Sequence, residues 1–469
     1  MDIITAIESK SLFGPLVKDQ ATFTNWKVFL RALFGLSMDK GQVKAFKEFT
    51  DRKKRPAAQV KAAYVIAGRR SGKSFTAALI ACYLALFKDW RPYLSRGELG
   101  FVMCIANDRD QARQVLNYIK GILSLRPWTV NGQRIVKKEL QEEIHLSNQT
   151  VISVKTCDYR SLRGYTVLAA ILDEVAFWRS EGANPDREIL TALRPAMVTV
   201  PGSMLIALSS PYMRAGVMYE AFRDKYGQDD DDVLVWKAPT REMNPTVPQA
   251  DVDKSLKDDY AAGQSEWMAE FRTDLESFLD LDLIESCVIP GRRELPPLDD
   301  VSSYYAFCDP SGGRGDAMTL SICHLEDEKI VQDVIRVKFP PLDPAQVAAE
   351  FSEVLKAYGL GEITGDRYAA AWVENSLRDN GASYLASELN KSELYLRLLP
   401  LMAQGRVELL DHKVMIAELR GLERRTRSGG KDIVDHGRGA HDDIANSAAG
   451  ACVLAAEGGA RGPLEILWL

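Results

Sequence analysis

Apolar and polar positions alternate along this chain in blocks, and the blocks predict elements of two kinds. Residues 1–60 place Trp26, Phe29, Leu30, Leu33 and Phe34 at helical spacing. Short apolar runs then recur between helical stretches, at 63–67, 101–106, 150–154, 167–172 and 203–208. Strands alternating with helices in this way predict a mostly parallel sheet covered on both faces, with any ligand at the carboxyl ends of the strands. From 215 to 299 the alternation lapses into helical stretches, an acidic run at 229–232 and prolines at 290, 296 and 297. That segment reads as a helical lid or linker subdomain. Beyond 300 the pattern restarts, with β-like runs at 304–308, 318–324 and 329–338, a helix near 344–358 and a strand at 362–364. The expected division is 1–214, 215–299 and 300–469, in an α/β protein with two sheets.

The first apolar run empties into Ala67-Gly68-Arg69-Arg70-Ser71-Gly72-Lys73-Ser74, and an apolar-periodic helix follows. A strand, a small-residue turn, Lys-Ser and a helix, in that order, form a phosphate-binding loop. The backbone N–H groups of 67–72 and the helix N-terminus would surround a triphosphate, Lys73 would reach its β- and γ-phosphates, and Ser74 would hold Mg²⁺. Ala67 stands where glycine is commoner, and the position needs only a small residue. Arg69 and Arg70 would face the phosphates, as a γ-phosphate sensor or a cis arginine finger, with one of them expected to pair with a carboxylate instead. Gln42 lies upstream, where an adenine-contacting glutamine could sit.

The run 167–172 ends in Asp173-Glu174. Paired carboxylates at an apolar strand end are costly unless they meet a cation. Asp173 would hold Mg²⁺ and Glu174 would orient and deprotonate the attacking water. Arg163, beside Gly164, could act on a neighbouring subunit's ATP or be an ordinary loop arginine. Ser209 and Ser210, stopped by Pro211, could couple the γ-phosphate state to motion or simply end a strand.

The last 170 residues carry acids at element ends: Asp309, Asp366 and the pair Asp442-Asp443, with Asp316 as an extra candidate. After three antiparallel strands they suggest a ribonuclease-H-like domain. Converging acids of this kind hold two divalent ions that activate water and stabilise a leaving phosphate oxygen. Singly, Asp309 could belong to a turn, Asp366 to a strand end and the pair to a helix N-cap. Helical phase does not separate Asp442 from Asp443, and Asp443 is favoured as the metal ligand. Arg424, Arg425, Arg427 and Lys431 flank a glycine tip at 429–430 and read as a basic hairpin for DNA phosphates. His436 could assist proton transfer or be structural.

Composition narrows the partners. With 469 residues and a net charge of -6, the chain would have to hold nucleic acid through local basic patches and not a global field. Seven cysteines, never as C-x-x-C, read as reduced core residues, and five scattered histidines speak against a histidine-rich metal site. No run of about eighteen apolar residues and no signal-peptide layout occur, so a soluble intracellular protein is expected.

Taken together, Gly68-Arg69-Arg70-Ser71-Gly72-Lys73-Ser74, Ile171-Leu172-Asp173-Glu174, Ser209-Ser210-Pro211, Asp309-Pro310, Gly365-Asp366-Arg367-Tyr368 and His441-Asp442-Asp443 resemble the large subunit of tailed-bacteriophage terminases over nearly the whole chain. The resemblance implies an additional-strand catalytic-glutamate ATPase followed by a ribonuclease-H-like nuclease. It implies ATP with Mg²⁺, and two Mg²⁺ or Mn²⁺ in the nuclease. Its partners would be double-stranded DNA, a portal protein and a small terminase subunit. The expected assembly is a homo-oligomeric ring, usually a pentamer, in the host cytoplasm and without a membrane. By the same resemblance Arg69 is the loop arginine and Arg163 the trans finger. The competing readings are an ATP-dependent DNA remodeller and a portal-docking adaptor with a degenerate nuclease domain.

Overall fold

The computed structural model describes residues 1–126, 128–130, 133–157, 164–178, 185–298, 301, 303–310, 316–367, 371–426, 432–437 and 440–460. The chain folds as two compact units that divide between Thr273 and Asp274.

The strands of the first unit are β1 (Ala62–Ala67), β2 (Gly100–Ala106), β3 (Thr129–Val130), β4 (Gln133–Arg134), β5 (Val136–Glu139), β6 (Glu143–Leu146), β7 (Thr150–Thr156), β8 (Thr166–Asp173), β9 (Met204–Ser209) and β10 (Val233–Ala238). All but the β3–β4 hairpin join one sheet in the order β10-β1-β9-β8-β2-β7-β6-β5. The pairs from β10 to β7 are parallel, and β5 and β6 add an antiparallel edge. β1 is buried from Ala63 to Ala67, as a strand covered on both faces must be. Two apolar clusters sandwich the sheet. One gathers Trp26, Phe29, Leu79 and Trp236, the other Ile66, Ile105, Leu172 and Leu193. β9 lies between β1 and β8, so the phosphate-loop strand and the Asp173 strand are separated by one additional strand.

The 215–299 segment departs from the expected helical subdomain. β10 extends the main sheet parallel to β1, and only residues from 274 onward belong to the second unit. The physical reason is the run Val233-Leu234-Val235-Trp236, whose Trp236 is fully buried against Phe29 and Phe49. The acidic run preceding it obscures this strand. Those acids in turn dock on the basic turn at 52–55. Arg52 is buried and donates to Asp230 O and Val233 O, and Lys53 N and Lys54 N donate to Asp229 Oδ1 at 3.0 and 2.9 Å.

The second unit contains β11 (Leu275–Ser277), β12 (Tyr304–Asp309), β13 (Met318–Glu326), β14 (Lys329–Lys338), β15 (Glu362–Gly365), β16 (Ser383–Ala386), β17 (Val407–Glu408), β18 (Leu422–Thr426) and β19 (Asp432–His436). Its main sheet runs β16-β15-β12-β13-β14-β17, with β12, β13 and β14 antiparallel and β15 and β16 parallel to β12. Alternation along β12 separates the two faces. Ala306 and Cys308 pack with Phe351 and Leu355 of the helix Pro344–Ala357, whereas Phe307 packs with the alanines of the helix Asp443–Ala460. β18 and β19 form the expected hairpin and continue to β11 as a three-stranded sheet. All seven cysteines are buried. Among the described residues no helix is long and apolar enough to cross a membrane.

The helix Asp443–Ala460 approaches β12 so closely that a Cβ on Gly450 would lie 2.2 Å from Phe307 Cγ. Gly450→Ala is therefore expected to lower stability by about 1–3 kcal/mol in denaturant melts. Gly121→Ala, at a helical position facing open space, is expected to be neutral or to raise stability by about 0.5–1 kcal/mol.

Candidate functional site

The phosphate loop turns from β1 into the helix Lys73–Phe87 through Gly72, at φ +98°, where a side chain would be strained. Gly68 meets a different requirement: an added Cβ would fall 2.2 Å from Thr240 Oγ1 and 2.8 Å from Glu266 O. The loop is held from outside as well. Trp26 Nε1 donates to Ser71 O at 2.8 Å, Thr240 Oγ1 to Arg69 O at 2.8 Å, and Asn244 Nδ2 to Arg70 O at 2.8 Å.

Inside this frame Lys73 is buried and donates to Ala67 O and Gly68 O, both at 3.1 Å, and to Ser210 Oγ at 2.9 Å. Its ammonium also lies 3.2 Å from Glu174 Oε1. Ser74 Oγ donates to Asp173 Oδ2 at 2.7 Å. Burial, and then the charge of Glu174, push the Asp173 carboxyl up to about 6, against the opposing effects of Ser74 and Lys73. Asp173 Oδ1 is buried with no hydrogen-bond partner among the described residues. Glu174 sits in the left-handed region at φ 53°, ψ 44°, a strained conformation for a non-glycine residue and one that concentrates at functional sites. Its Oε2 accepts from Ser210 N at 3.0 Å and lies 3.3 Å from Ser209 Oγ. The β9 end thus touches both Lys73 and Glu174, which a strand-ending turn alone does not require.

Three loop expectations change. Arg69, and not Arg70, is the arginine paired with a carboxylate, its Nη1 lying 3.3 Å from Glu266 Oε1. Arg70 is exposed and left-handed at φ 64°, with its carbonyl fixed by Asn244. Gln42 serves as the third residue of a helix-capping box: its Oε1 accepts from Asp39 N at 3.1 Å while its own N–H donates to Asp39 Oδ1. That bond takes up the oxygen an adenine contact would use. Arg163 lies outside the described residues.

In the second unit, Cys308 on β12 pairs with Gly365 on β15, so the next residues, Asp309 and Asp366, stand side by side at adjacent parallel strand ends. Asp443 joins them through β13: its Oδ2 accepts from Ala317 N at 2.9 Å and its carbonyl from Thr319 Oγ1 at 2.7 Å, and Thr319 pairs with Asp309. Asn446, one turn along the same helix, donates from Nδ2 to Asp309 Oδ2 at 2.8 Å. Burial, together with the charges of Asp443, Asp442 and Asp366, holds the Asp309 carboxyl well above the usual carboxylate range, against the Asn446 bond. Burial and the charges of Asp316 and Asp442 likewise raise Asp443. Asp316 is exposed, 3.4 Å from His441 Nδ1, and these two with Asp443 form a cluster able to hold a metal ion.

Asp442 is drawn elsewhere. Its Oδ2 accepts from Tyr395 Oη at 2.9 Å and lies 3.1 Å from Lys391 Nζ, and that ammonium also meets Asp435 Oδ1 at 2.7 Å. The helix-start pair therefore splits, with Asp443 toward Asp309 and Asp442 in an ion-pair network. His436 is at the edge of that network, its Nε2 4.0 Å from Asp442 Oδ1 and its Nδ1 donating to Gly437 O. On the hairpin, Arg424 pairs with Asp432 at 2.9 Å and Arg425 lies 3.7 Å from Glu423. Arg427 and Lys431 lie outside the described residues.

The family profile described as "Uncharacterized protein MJ0330, N-terminal P-loop domain" matches residues 24–268, more than half of the chain. The chain belongs to this P-loop family. Among solved structures, the P-loop protein is similar to the large terminase of bacteriophage HK97, at 17% identity over 89% of this chain and 95% of that one, with a TM-score of 0.38. It is similar to a full-length large terminase from a thermophilic bacteriophage, at 13% identity over 88% of this chain and 98% of that one, with a TM-score of 0.39. A further likeness is to the large terminase nuclease of thermophilic phage G20c, at 18% identity over 36% of this chain and 95% of that one, with a TM-score of 0.33. The comparison with curated proteins gave no match.

Lys391, Tyr395, Glu418 and Asn446 escape sequence reasoning. Only Asn446 left a signal, since it is three residues beyond Asp443 and so on the same helix face. The split of the aspartate pair generates a test. Asp442→Asn is expected to cost about 1–3 kcal/mol in denaturant melts, because it weakens a buried, charge-assisted network around Lys391. Asp443→Asn should leave stability unchanged or raise it, because it relieves carboxylate repulsion.

Proposed function

We propose that this P-loop protein is the large terminase subunit of a tailed bacteriophage. In this reading ATP hydrolysis in the first unit drives double-stranded DNA into a procapsid, and a metal-dependent endonuclease in the second cuts the concatemer. One observation carries the proposal: the same chain holds a Lys73–Ser210–Glu174 hydrolysis constellation and, separately, Asp309 and Asp366 on adjacent strand ends with Asp443 beside them. Three antiparallel strands with two parallel ones added beyond the first are the arrangement expected of a ribonuclease-H-like sheet.

The residues present fit the implied ions. Asp173 presents a buried oxygen without a partner among the described residues, and Asp309, Asp366 and Asp443 crowd like charges that a cation would relieve. Ser74 and Asp173 would hold Mg²⁺ with ATP, and Asp309, Asp366 and Asp443 two Mg²⁺ or Mn²⁺, with Asp316 at the rim. The bound ions would neutralise phosphate charge and activate water.

The chain's own residues supply the rest. Lys73 exchanges its carbonyl bonds for phosphate oxygens, and Glu174, its Oε2 fixed by Ser210 N, accepts the attacking water's proton. Ser209 and Ser210 link both groups to the end of β9, so loss of the γ-phosphate is felt by a strand of the sheet. Arg69 would stabilise the transferring phosphoryl group in cis and Arg163 from a neighbouring subunit. In this reading the chain works in the host cytoplasm as a ring on the portal, with a small terminase subunit, and Arg424, Arg425, Arg427 and Lys431 meet DNA.

Glu174→Gln is expected to keep ATP binding while lowering turnover about 100-fold or more; undiminished turnover removes Glu174 from its role. With Mn²⁺ the purified protein should nick and linearise plasmid, and Asp366→Ala should not. Failure of the parent to cut, or equal cutting by the variant, rejects the nuclease.

A further inference from the structure

The helix Asp443–Ala460 begins inside the acid cluster, and the N–H groups of a first helical turn need partners from elsewhere. Glu418, on the helix Lys413–Arg420, provides them. Its Oε2 accepts from Ile444 N at 2.8 Å and from Ala445 N at 2.9 Å, a cap delivered across 26 residues of sequence. A carboxylate is favoured at this end of a helix by the macrodipole. Yet burial, together with Asp443 and Asp442, pushes the Glu418 carboxyl up to about 7, so an acid is kept where neighbouring acids oppose it. The turn it grips is the one that presents Asp443, and one residue past the grip Asn446, 1% exposed, holds Asp309.

We propose that Glu418 is a positioning residue of the acid site, fixing the turn that aims Asp443 directly and Asp309 through Asn446 at the geometry that holds divalent cations. This rests on the metal-nuclease reading of that site. Groups that orient metal ligands without touching the ion typically change affinity by about 10–100-fold when removed. A single oxygen receives both N–H groups, so a glutamine can replace Glu418 in the grip, whereas alanine cannot.

The test is Mn²⁺ binding to the full chain by calorimetry, with the heat lost in Asp366→Ala assigned to the acid site. Glu418→Ala should weaken that binding about tenfold or more, and Glu418→Gln should stay close to the parent. Equal binding by parent and Glu418→Ala overturns the inference while leaving the nuclease reading intact. Glu418→Gln as weak as Glu418→Ala also overturns it, because charge and not positioning would then be the cause. A parent protein with no Mn²⁺ binding at the acid site rejects both readings. Should Glu418→Ala lose its helical circular dichroism, Asn446→Ala decides: weakened binding supports the relay to Asp309, and unchanged binding overturns it.

Discussion

Asp173 ends β8 with one carboxylate oxygen on Ser74 and the other buried without a partner among the described residues. Asp309 ends β12 among the charges of Asp366, Asp442 and Asp443. Charge crowded at poorly solvated strand ends raises the energy of every ion there, and the surrounding structure has to offset it. In the first unit Lys73 does so, within 3.2 Å of Glu174. In the second, Lys391 and Tyr395 take up Asp442, and Asn446 takes up Asp309. What remains uncompensated in each unit is a set of oxygens facing the position a divalent ion would take.

The folds serve this crowding. In the first unit the additional strand β9 separates β1 from β8 and brings Ser209 and Ser210 between lysine and glutamate. In the second, an alanine-rich helix with Gly450 against Phe307 lies close enough to β12 for its first turn to share space with the strand-end aspartate. Both arrangements depend on small residues where backbones approach, as Gly68 does under Thr240.

Much of this was legible in the sequence, because the chemistry is local there. The phosphate loop, Asp173-Glu174, Ser209-Ser210 and the strand-end aspartates each follow an apolar run, and a run marks its own strand end. The strand β10 was missed because four acids precede it, and their docking on Arg52 and its neighbours is a tertiary fact. Gln42 looked available because a capping box uses the same residue types as a ligand contact. The choice between Asp442 and Asp443 needed Lys391, some fifty residues away, and Glu418 could not be found from spacing, since its grip on Ile444 and Ala445 exists only once two helices have packed.

The central claim is that one chain carries two separate cation-dependent centres, one for nucleotide and one for phosphodiester. Anomalous scattering from crystals of the full chain grown with Mn²⁺ and a non-hydrolysable ATP analogue tests it most directly. The account predicts one peak beside Ser74 and Asp173 with the nucleotide, and two peaks about 3.5–4 Å apart among Asp309, Asp366 and Asp443. Full occupancy at the first centre with no manganese at the second would contradict it.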